Sequence, residues 1–223
     1  MRIGIIAAMQ VELDLLLENT KIISKDKFYG RTIYHSKFKE HDLYMGVSGI
    51  GKANAASFTQ LLLDKYEIEL VINTGIAGAI NPKISTLDLV IADKLVYHDF
   101  PEEILKITYP FKDSFKTDKD LVKLTQKVAQ SFTNTYVGTI ASADVFVAED
   151  KLKQDIEART KALACDMESA AIAQIAEGAG ISTLIIRSIS DEADDDSPET
   201  YDNFEAKAAN LSVKILLEVL KEL

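Results

Sequence analysis

Acidic residues crowd the end of the last apolar run of the chain, and only some of them are placed to do chemistry. The run at 182–190, STLIIRSIS, leads directly into five acids: Asp191, Glu192, Asp194, Asp195 and Asp196. In open α/β sheets, ligands bind beyond the carboxyl ends of the strands. Asp191 is the first residue past the predicted strand, so we expect it to reach a ligand. We expect the other four acids to form a solvated turn.

Three further charged residues stand among apolar neighbours. Arg187 lies inside the same run, where a guanidinium requires a carboxylate, a phosphate or a water network. Glu12 and Glu168 fall in the first turns of predicted helices, where an acid is favourable through the helix dipole alone. Glu168, however, opens a small, apolar helix, and burying a carboxylate without a partner is costly. We therefore predict a site with one arginine among Glu12, Glu168 and Asp191.

Two glycine-rich segments could approach a ligand. The segment 46–53, GVSGIGKA, nearly fits a P-loop but ends in Ala53, which has no hydroxyl for magnesium. We favour a glycine turn that opens a helix. The segment 73–80, NTGIAGAI, lacks the three-glycine spacing of a dinucleotide site. It reads either as a tight turn or as side-chain-poor backbone beside a flat aromatic ring.

Composition limits the class of protein. The 223 residues are 47% hydrophobic, which is enough for a sizeable core, and we read 1–223 as one domain. With 35 acids against 25 bases, the chain has no electrostatic footprint for nucleic acid or an anionic membrane. The single Cys165 excludes an internal disulfide and fits a reducing compartment. The first apolar run is too short to span a membrane, so we expect a cytoplasmic protein with small-molecule partners.

Metal sites are not predicted. His35, His41 and His98 show no metal-ligand spacing, and His35 and His41 are expected to face solvent on a hairpin. The acidic run lacks the glycine and terminal glutamate of a calcium loop. We therefore predict neither a metal nor a cofactor.

The elements that must position these residues alternate along the chain in an α/β pattern. Strands are predicted at 2–8, 31–38, 41–48, 69–75, 88–97, 135–142 and 182–190. Helices are predicted at 10–18, 51–66, 118–130, 149–158, 167–178 and 200–223. The second and third strands are separated by only KE and read as a hairpin, which predicts a mixed sheet rather than a purely parallel one.

Several motifs together resemble a known family. They are IGIIAAMQVE, SGIGKANAA, VINTGIAGAI, SADVFV, DMESAAIA and IIRSISDEAD. Their order and spacing are similar to those of bacterial 5'-methylthioadenosine/S-adenosylhomocysteine nucleosidases, in the nucleoside phosphorylase-like superfamily. The resemblance implies a three-layer α/β/α sandwich with a central mixed, twisted sheet. It also implies a homodimer in which the partner closes the alkylthio pocket.

The resemblance assigns roles by position. Asp191 matches the acid that protonates nitrogen 7 of adenine, Glu12 the base that activates water, and Arg187 an arginine near that water. Glu168 matches the ribose ligand and Phe146 the ring that stacks on adenine. The remaining substrate-binding positions implied in this way are Met9, Ile50, Ala77, Gly78, Val147, Met167, Ser190 and Tyr201.

Three departures qualify that assignment. Ile76 stands where the family commonly has serine or threonine near the catalytic water. The family's HDAD segment is HDFP at 98–101, and the stretch after it, which supplies partner-subunit contacts to the alkylthio group, matches poorly. Asp166 replaces a usual glutamate. Preference among methylthioadenosine, adenosylhomocysteine and deoxyadenosine stays open.

Three other functions remain as alternatives. A phosphate-dependent nucleoside phosphorylase would need a cationic pocket near the first strand, where Glu12 would repel phosphate. A related hydrolase could act on another purine nucleoside such as futalosine. A catalytically silent nucleoside-binding protein would have no need for both Glu12 and Asp191.

Overall fold

The computed structural model describes residues 1–193 and 197–223, without the side chains of 197–200, 202 and 203. This part of the chain contains ten strands and seven α-helices. The strands are β1 Arg2–Ala7, β2 Lys21–Phe28, β3 Arg31–Phe38, β4 His41–Val47, β5 Leu70–Ala79, β6 Leu89–Tyr97, β7 Phe115–Lys116, β8 Thr135–Ser142, β9 Ala164–Asp166 and β10 Ser182–Asp191. The helices are α1 Asp14–Glu18, α2 Lys52–Lys65, α3 Glu102–Ile107, α4 Lys119–Ala129, α5 Asp150–Thr160, α6 Ser169–Gly178 and α7 Ser197–Glu222, and a 3-10 turn spans Gln10–Glu12.

The strands form one mixed sheet, which confirms the predicted fold class. Its order is β10-β6-β8-β9-β5-β1-β4-β3-β2, and β10 also pairs with β5, so five strands close into a ring. Strand β1 runs parallel to both β4 and β5, whereas β3 is antiparallel to β2 and β4. The predicted hairpin of β3 and β4 is confirmed.

Alternating side chains of β1 show how the layers are built. Ile3 and Ile5 are fully buried in the cluster that joins the sheet to α1, α4 and α7. Ile6 points to the opposite face and packs in the cluster with α2 and α6. Because neighbouring strand residues face opposite sides, a continuously apolar strand requires helices on both faces.

The main difference from prediction concerns 73–80, which is neither a turn nor a loop. Strand β5 continues to Ala79, because β9 supplies partners for Gly78 and Ala79 and β10 pairs along the strand as far as Gly78. Three short or polar strands, β2, β7 and β9, and helix α3 were not predicted. Strand β2 is exposed along nearly all its length, so it carries no apolar alternation.

The expectation for His41 was wrong. His41 is 5% exposed because it begins β4, which lies between β1 and β3 inside the sheet. His35 is half-buried, stacks on Tyr44, and places Nε2 2.9 Å from Asp42 Oδ1. Within the described residues, no helix is long and apolar enough to cross a membrane, and no three His, Cys, Asp or Glu side chains are grouped to hold a metal.

Candidate active site

A cavity of about 330 Å³ opens at the carboxyl ends of several strands. All of the predicted site residues except Arg187 line it: Met9, Glu12, Ile50, Ala77, Gly78, Phe146, Val147, Met167, Glu168, Ser190, Asp191 and Tyr201. Residues from β5 and β10 therefore meet residues from the loops after β1, β4 and β8 in one place. The structure therefore brings these residues together beyond the carboxyl ends of the strands, where ligands bind in open α/β sheets.

Glu12 is fixed by backbone donors. Its Oε2 accepts hydrogen bonds from the N–H groups of Ala8 at 2.7 Å and Met9 at 2.9 Å, and its Oε1 accepts one from Ile76 at 3.0 Å. Burial raises the pKa of Glu12, although Arg187 and these N–H groups act in the opposite direction. A carboxylate with a raised pKa is a stronger base than an exposed one and so is better suited to accept a proton.

Two glycines of β5 leave room for carboxylates. A Cβ on Gly75 would lie closer than 3.0 Å to Glu12 Oε1 and 3.1 Å from an Arg187 nitrogen. A Cβ on Gly78 would lie 2.9 Å from Asp191 Oδ1. Neither glycine has a positive φ, so the requirement is steric rather than conformational. The glycines of NTGIAGAI thus accommodate acids as well as bordering the cavity.

Asp191 is the last residue of β10 rather than the first beyond it, and it is 2% exposed. Its Oδ2 accepts a 2.7 Å hydrogen bond from the Ser190 hydroxyl, and its Oδ1 accepts one of 3.0 Å from the Ala193 N–H. The next acid, Glu192, is exposed, as predicted. The predicted solvated acids at 194–196 lie outside the described residues.

Arg187 lies behind the cavity wall, with its side chain 2% exposed. Its Nε donates to Asp166 Oδ2 at 2.9 Å, and an Nη donates to Asn73 Oδ1. Glu168 is more distant, with a closest separation of 3.9 Å. The carboxylate that Arg187 requires is therefore Asp166, which was noted in the sequence only as a departure from the family pattern. Asp166 also accepts hydrogen bonds from the Ser142 hydroxyl at 2.5 Å and the Glu168 N–H at 3.3 Å.

Glu168 connects α6 to the start of α2. Its Oε1 accepts a 2.9 Å hydrogen bond from the N–H of Gly51, and the next N–H, of Lys52, donates to Asp144 Oδ1 at 2.7 Å. The glycine loop that resembles a P-loop therefore gives its donors to protein carboxylates rather than to a phosphate. Burial and Asp166 raise the pKa of Glu168 to about 7, against the lowering effects of Arg187 and Gly51.

The cavity mouth is apolar and open. Ile50, Val145 and Phe146 are 50%, 42% and 47% exposed, whereas Val147 is buried. The rings of Phe146 and Tyr201 pack edge to face, with centroids 5.6 Å apart. A flat aromatic ligand would find an aromatic face at this mouth and carboxylates deeper inside.

Several lining residues were not predicted to bind substrate: Ala8, Ile76, Val145, Cys165 and Asp166. Ile76 had been singled out only as a departure, and its side chain packs against Ala208 and Ala209 of α7. Cys165 is a free, buried thiol whose pKa is raised by burial. A buried arginine needs a partner such as a carboxylate, and this need of Arg187 was the one sequence signal that could have identified Asp166.

Comparisons with known proteins agree with this architecture. Residues 2–221 match the phosphorylase superfamily. A 5'-methylthioadenosine/S-adenosylhomocysteine nucleosidase of Shewanella halifaxensis is 33% identical over the whole of both chains. An aminodeoxyfutalosine nucleosidase of Campylobacter jejuni is 30% identical, again over both full lengths.

A solved structure extends the comparison. The S-adenosylhomocysteine nucleosidase of Streptococcus pyogenes, in complex with 5-methylthiotubericidin, is 36% identical and superposes with a TM-score of 0.95. The match covers 100% of this chain and 97% of that one. The chain therefore belongs to the phosphorylase superfamily and, within it, to the 5'-methylthioadenosine/S-adenosylhomocysteine nucleosidase family.

Proposed function

We propose that this protein hydrolyses the N-glycosidic bond of 5'-methylthioadenosine and S-adenosylhomocysteine, releasing adenine and the 5-substituted ribose. The observation that carries the proposal is the cavity itself, in which Glu12 and Asp191 sit in two differently hydrogen-bonded environments. Two carboxyl groups in different environments can act as base and acid in one reaction. The 5'-deoxyadenosine nucleoside is a third candidate substrate.

The chemistry assigns a task to each group. Bond cleavage builds positive charge on the ribose and negative charge on the departing base, so a proton must reach the base. Asp191 supplies that proton to nitrogen 7 of adenine. Glu12 takes the proton of the attacking water, because Oε1 has a lone pair left beyond its single backbone donor. Glu168 binds the ribose hydroxyls, and Phe146 stacks on the adenine.

Arg187 acts indirectly in this scheme. It lies behind Asp166 and beside Gly75, which the Glu12 carboxylate also contacts closely. Its positive charge lowers the pKa of Glu12 and of Glu168, and so limits the effect of burial on both. We therefore assign Arg187 to the electrostatic tuning of the water-activating side of the site.

The charges at the cavity favour water over phosphate as the nucleophile. Among the described residues that line it, four are acids, Glu12, Asp166, Glu168 and Asp191, and none is lysine, arginine or histidine. A phosphate dianion would meet repulsion there, and Arg187, behind the lining, is already paired with Asp166. The ionised acids, with Asp191 once it has given its proton to the base, would stabilise a positively charged ribose, because preorganised charge acts where the transition-state charge develops.

A homodimer forms part of the proposal. Five large apolar side chains between β6 and β7 are strongly exposed: Phe100, Ile104, Ile107, Tyr109 and Phe111, the most exposed at 76%. Exposed apolar patches of this kind mark interaction sites. A second copy covering this segment would bury them. Sedimentation equilibrium that returned a monomer at working concentrations would contradict the dimer.

One assay tests the activity and its alternatives. The protein is incubated with methylthioadenosine, with and without phosphate, and free adenine is measured. Release without phosphate is expected. Strict phosphate dependence would replace the hydrolase with a phosphorylase, and tight binding without release would indicate a silent binder. A relative of 30% identity is named an aminodeoxyfutalosine nucleosidase. The same assay therefore compares kcat/KM for aminodeoxyfutalosine with kcat/KM for adenosylhomocysteine.

A further inference from the structure

The loop at 143–149, between β8 and α5, carries the aromatic side of the cavity, and its residues 144–146 are exposed. Val145 and Phe146 are about half exposed, whereas Ala143 and Val147 are buried. Under the proposed function, on which this inference rests, the loop must hold Phe146 against the adenine ring. Ala143 and Val147 anchor it to the core, and polar contacts of Asp144 hold the exposed part between them.

Those contacts form a closed circuit of three residues: Lys52, which begins α2, Asp99, which follows β6, and Asp144 of the loop. The Lys52 ammonium donates to both carboxylate oxygens of Asp99, at 2.6 and 2.5 Å. Asp99 Oδ2 accepts a 3.0 Å hydrogen bond from the N–H of Asp144, and Asp144 Oδ1 accepts one of 2.7 Å from the N–H of Lys52. Each residue thus contacts the other two.

The pair of Lys52 and Asp99 is partly shielded from water, whereas the side chain of Asp144 is 53% exposed. The side chains of Lys52 and Asp99 are 21% and 24% exposed, and the Lys52 nitrogen lies 5.3 Å from the ring centroid of Tyr97. Burial alone would raise the pKa of Asp99, but hydrogen bonds from Lys52 and Asp144 outweigh it and lower the pKa. Charge-assisted bonds in such a setting are stronger than surface ion pairs.

We propose that Lys52, Asp99 and Asp144 form a clasp that positions the 143–149 loop for recognition of the base. The Gly51 and Lys52 N–H groups then connect the two halves of the site, since Glu168 accepts from the first and Asp144 from the second. Lys52 is a positioning residue in this arrangement: it acts on the base only through Asp144 and the loop. Its loss should weaken base binding while leaving bond cleavage nearly intact.

The test is Lys52→Met, with Lys52→Arg as the conservative variant and Lys37→Met as the matched control. Lys37 forms a surface pair with Asp42 on the hairpin, at 2.8 Å. For Lys52→Met we expect KM to rise roughly five- to tenfold with kcat within about twofold, because the loop side chains must then be ordered on binding. Inhibition by free adenine should weaken in parallel, and inhibition by 5-methylthioribose should not. Lys52→Arg keeps the positive charge, so its KM and its inhibition by adenine should be close to those of the wild type.

Amide hydrogen exchange reports how firmly the 143–149 loop is held, and it needs no substrate. It therefore tests the clasp even if the proposed activity is wrong. Amides at 143–149 should exchange faster in Lys52→Met than in the wild type or in Lys37→Met. Equal weakening of adenine and methylthioribose would indicate a general structural role and overturn the proposal, as would unchanged exchange. If Lys52→Met does not fold, Asp99→Asn removes the same contact from its other side and should give the same pattern.

Discussion

The Oδ2 atom of Asp166 accepts a 2.9 Å hydrogen bond from Nε of Arg187, and both side chains are buried. Asp166 lines the cavity and Arg187 lies behind it, so the pair supports the site without being its reactive part. It fixes the guanidinium beneath the cavity, and through the Ser142 hydroxyl and the Glu168 N–H it also fixes where β8 ends and α6 begins. The chemistry proposed above therefore depends on an ion pair that substrate need not contact.

Asp166→Asn should be strongly destabilising. Arg187, the Ser142 hydroxyl and the Glu168 N–H are all donors to Asp166, so an amide NH2 would face a donor in either orientation. Removing one charge of a buried pair typically costs about 3 to 5 kcal/mol. Urea unfolding of the two proteins measures the difference.

The matched control is Asp155→Asn. Asp155 pairs with Arg159 at 2.8 Å on the surface of α5, with both side chains about half exposed. Exposed pairs of this kind contribute little to stability. Similar losses in the two variants would contradict the special role assigned to the buried pair.

The acidic run offers a second prediction within two adjacent residues. Asp191→Asn should lower kcat about 10²- to 10⁴-fold, the usual range for one acid or base role, with substrate affinity largely retained. Glu192→Gln should behave as the wild type, because Glu192 is exposed. Adenine release gives kcat, and calorimetry gives the dissociation constant of the inactive variant.

Glu12→Gln should lower kcat by a similar factor and should also destabilise the fold slightly. All three partners of Glu12 are backbone donors, so the amide nitrogen of glutamine would face at least one N–H. Turnover close to that of the wild type in either Asp191→Asn or Glu12→Gln would refute the corresponding assignment.

The glycines of β5 provide a steric prediction. Gly75→Ala places a methyl group against Glu12 Oε1, and the carboxylate cannot retreat without losing its backbone bonds. Gly78→Ala does the same to Asp191 Oδ1. Each should lower kcat by more than about tenfold, the effect of 1.4 kcal/mol in the barrier. Gly4→Ala is the control, since its Cβ would meet its nearest neighbours at an ordinary 3.4 Å. Unimpaired kcat in both β5 variants would contradict this account.

The sequence allowed much of this to be predicted, because the evidence for it is local. Apolar runs identified seven strands to within a few residues, and the sheet-edge rule placed Glu12, Glu168 and Asp191 around one cavity. Burial of Arg187 followed from its apolar neighbours alone. In each case a short stretch of chain carries the signal.

What could not be predicted depends on contacts between distant segments. The partner of Arg187 comes from β9, a strand of three residues that is too short to show a period. Gly75 and Gly78 were read as neighbours of a flat ring, because nothing local reveals that Glu12 and Asp191 approach the same strand. The Asp99 to Lys52 contact likewise joins residues 47 positions apart.

Glu168 leads to a prediction about pH. Its pKa is raised from the usual 4.5 to about 7, chiefly by burial and then by Asp166. Between these values the folded protein holds a proton that the unfolded chain has lost. Its contribution to stability is therefore complete below pH 4.5 and is lost as the pH rises through 7.

Glu168→Gln cannot ionise, so its free energy of unfolding should depend less on pH across this window than that of the wild type. Glu12 and Asp166 are present in both proteins, so the difference between the two pH dependences reports Glu168 together with its interaction with them. Urea unfolding at a series of pH values gives the two slopes, with Glu69→Gln, an exposed acid that accepts from the Arg2 N–H, as the control. If the free energy of unfolding changed with pH equally in the wild type and in Glu168→Gln, Glu168 would be ionised in the folded protein throughout this pH range. That result would contradict a raised pKa for Glu168.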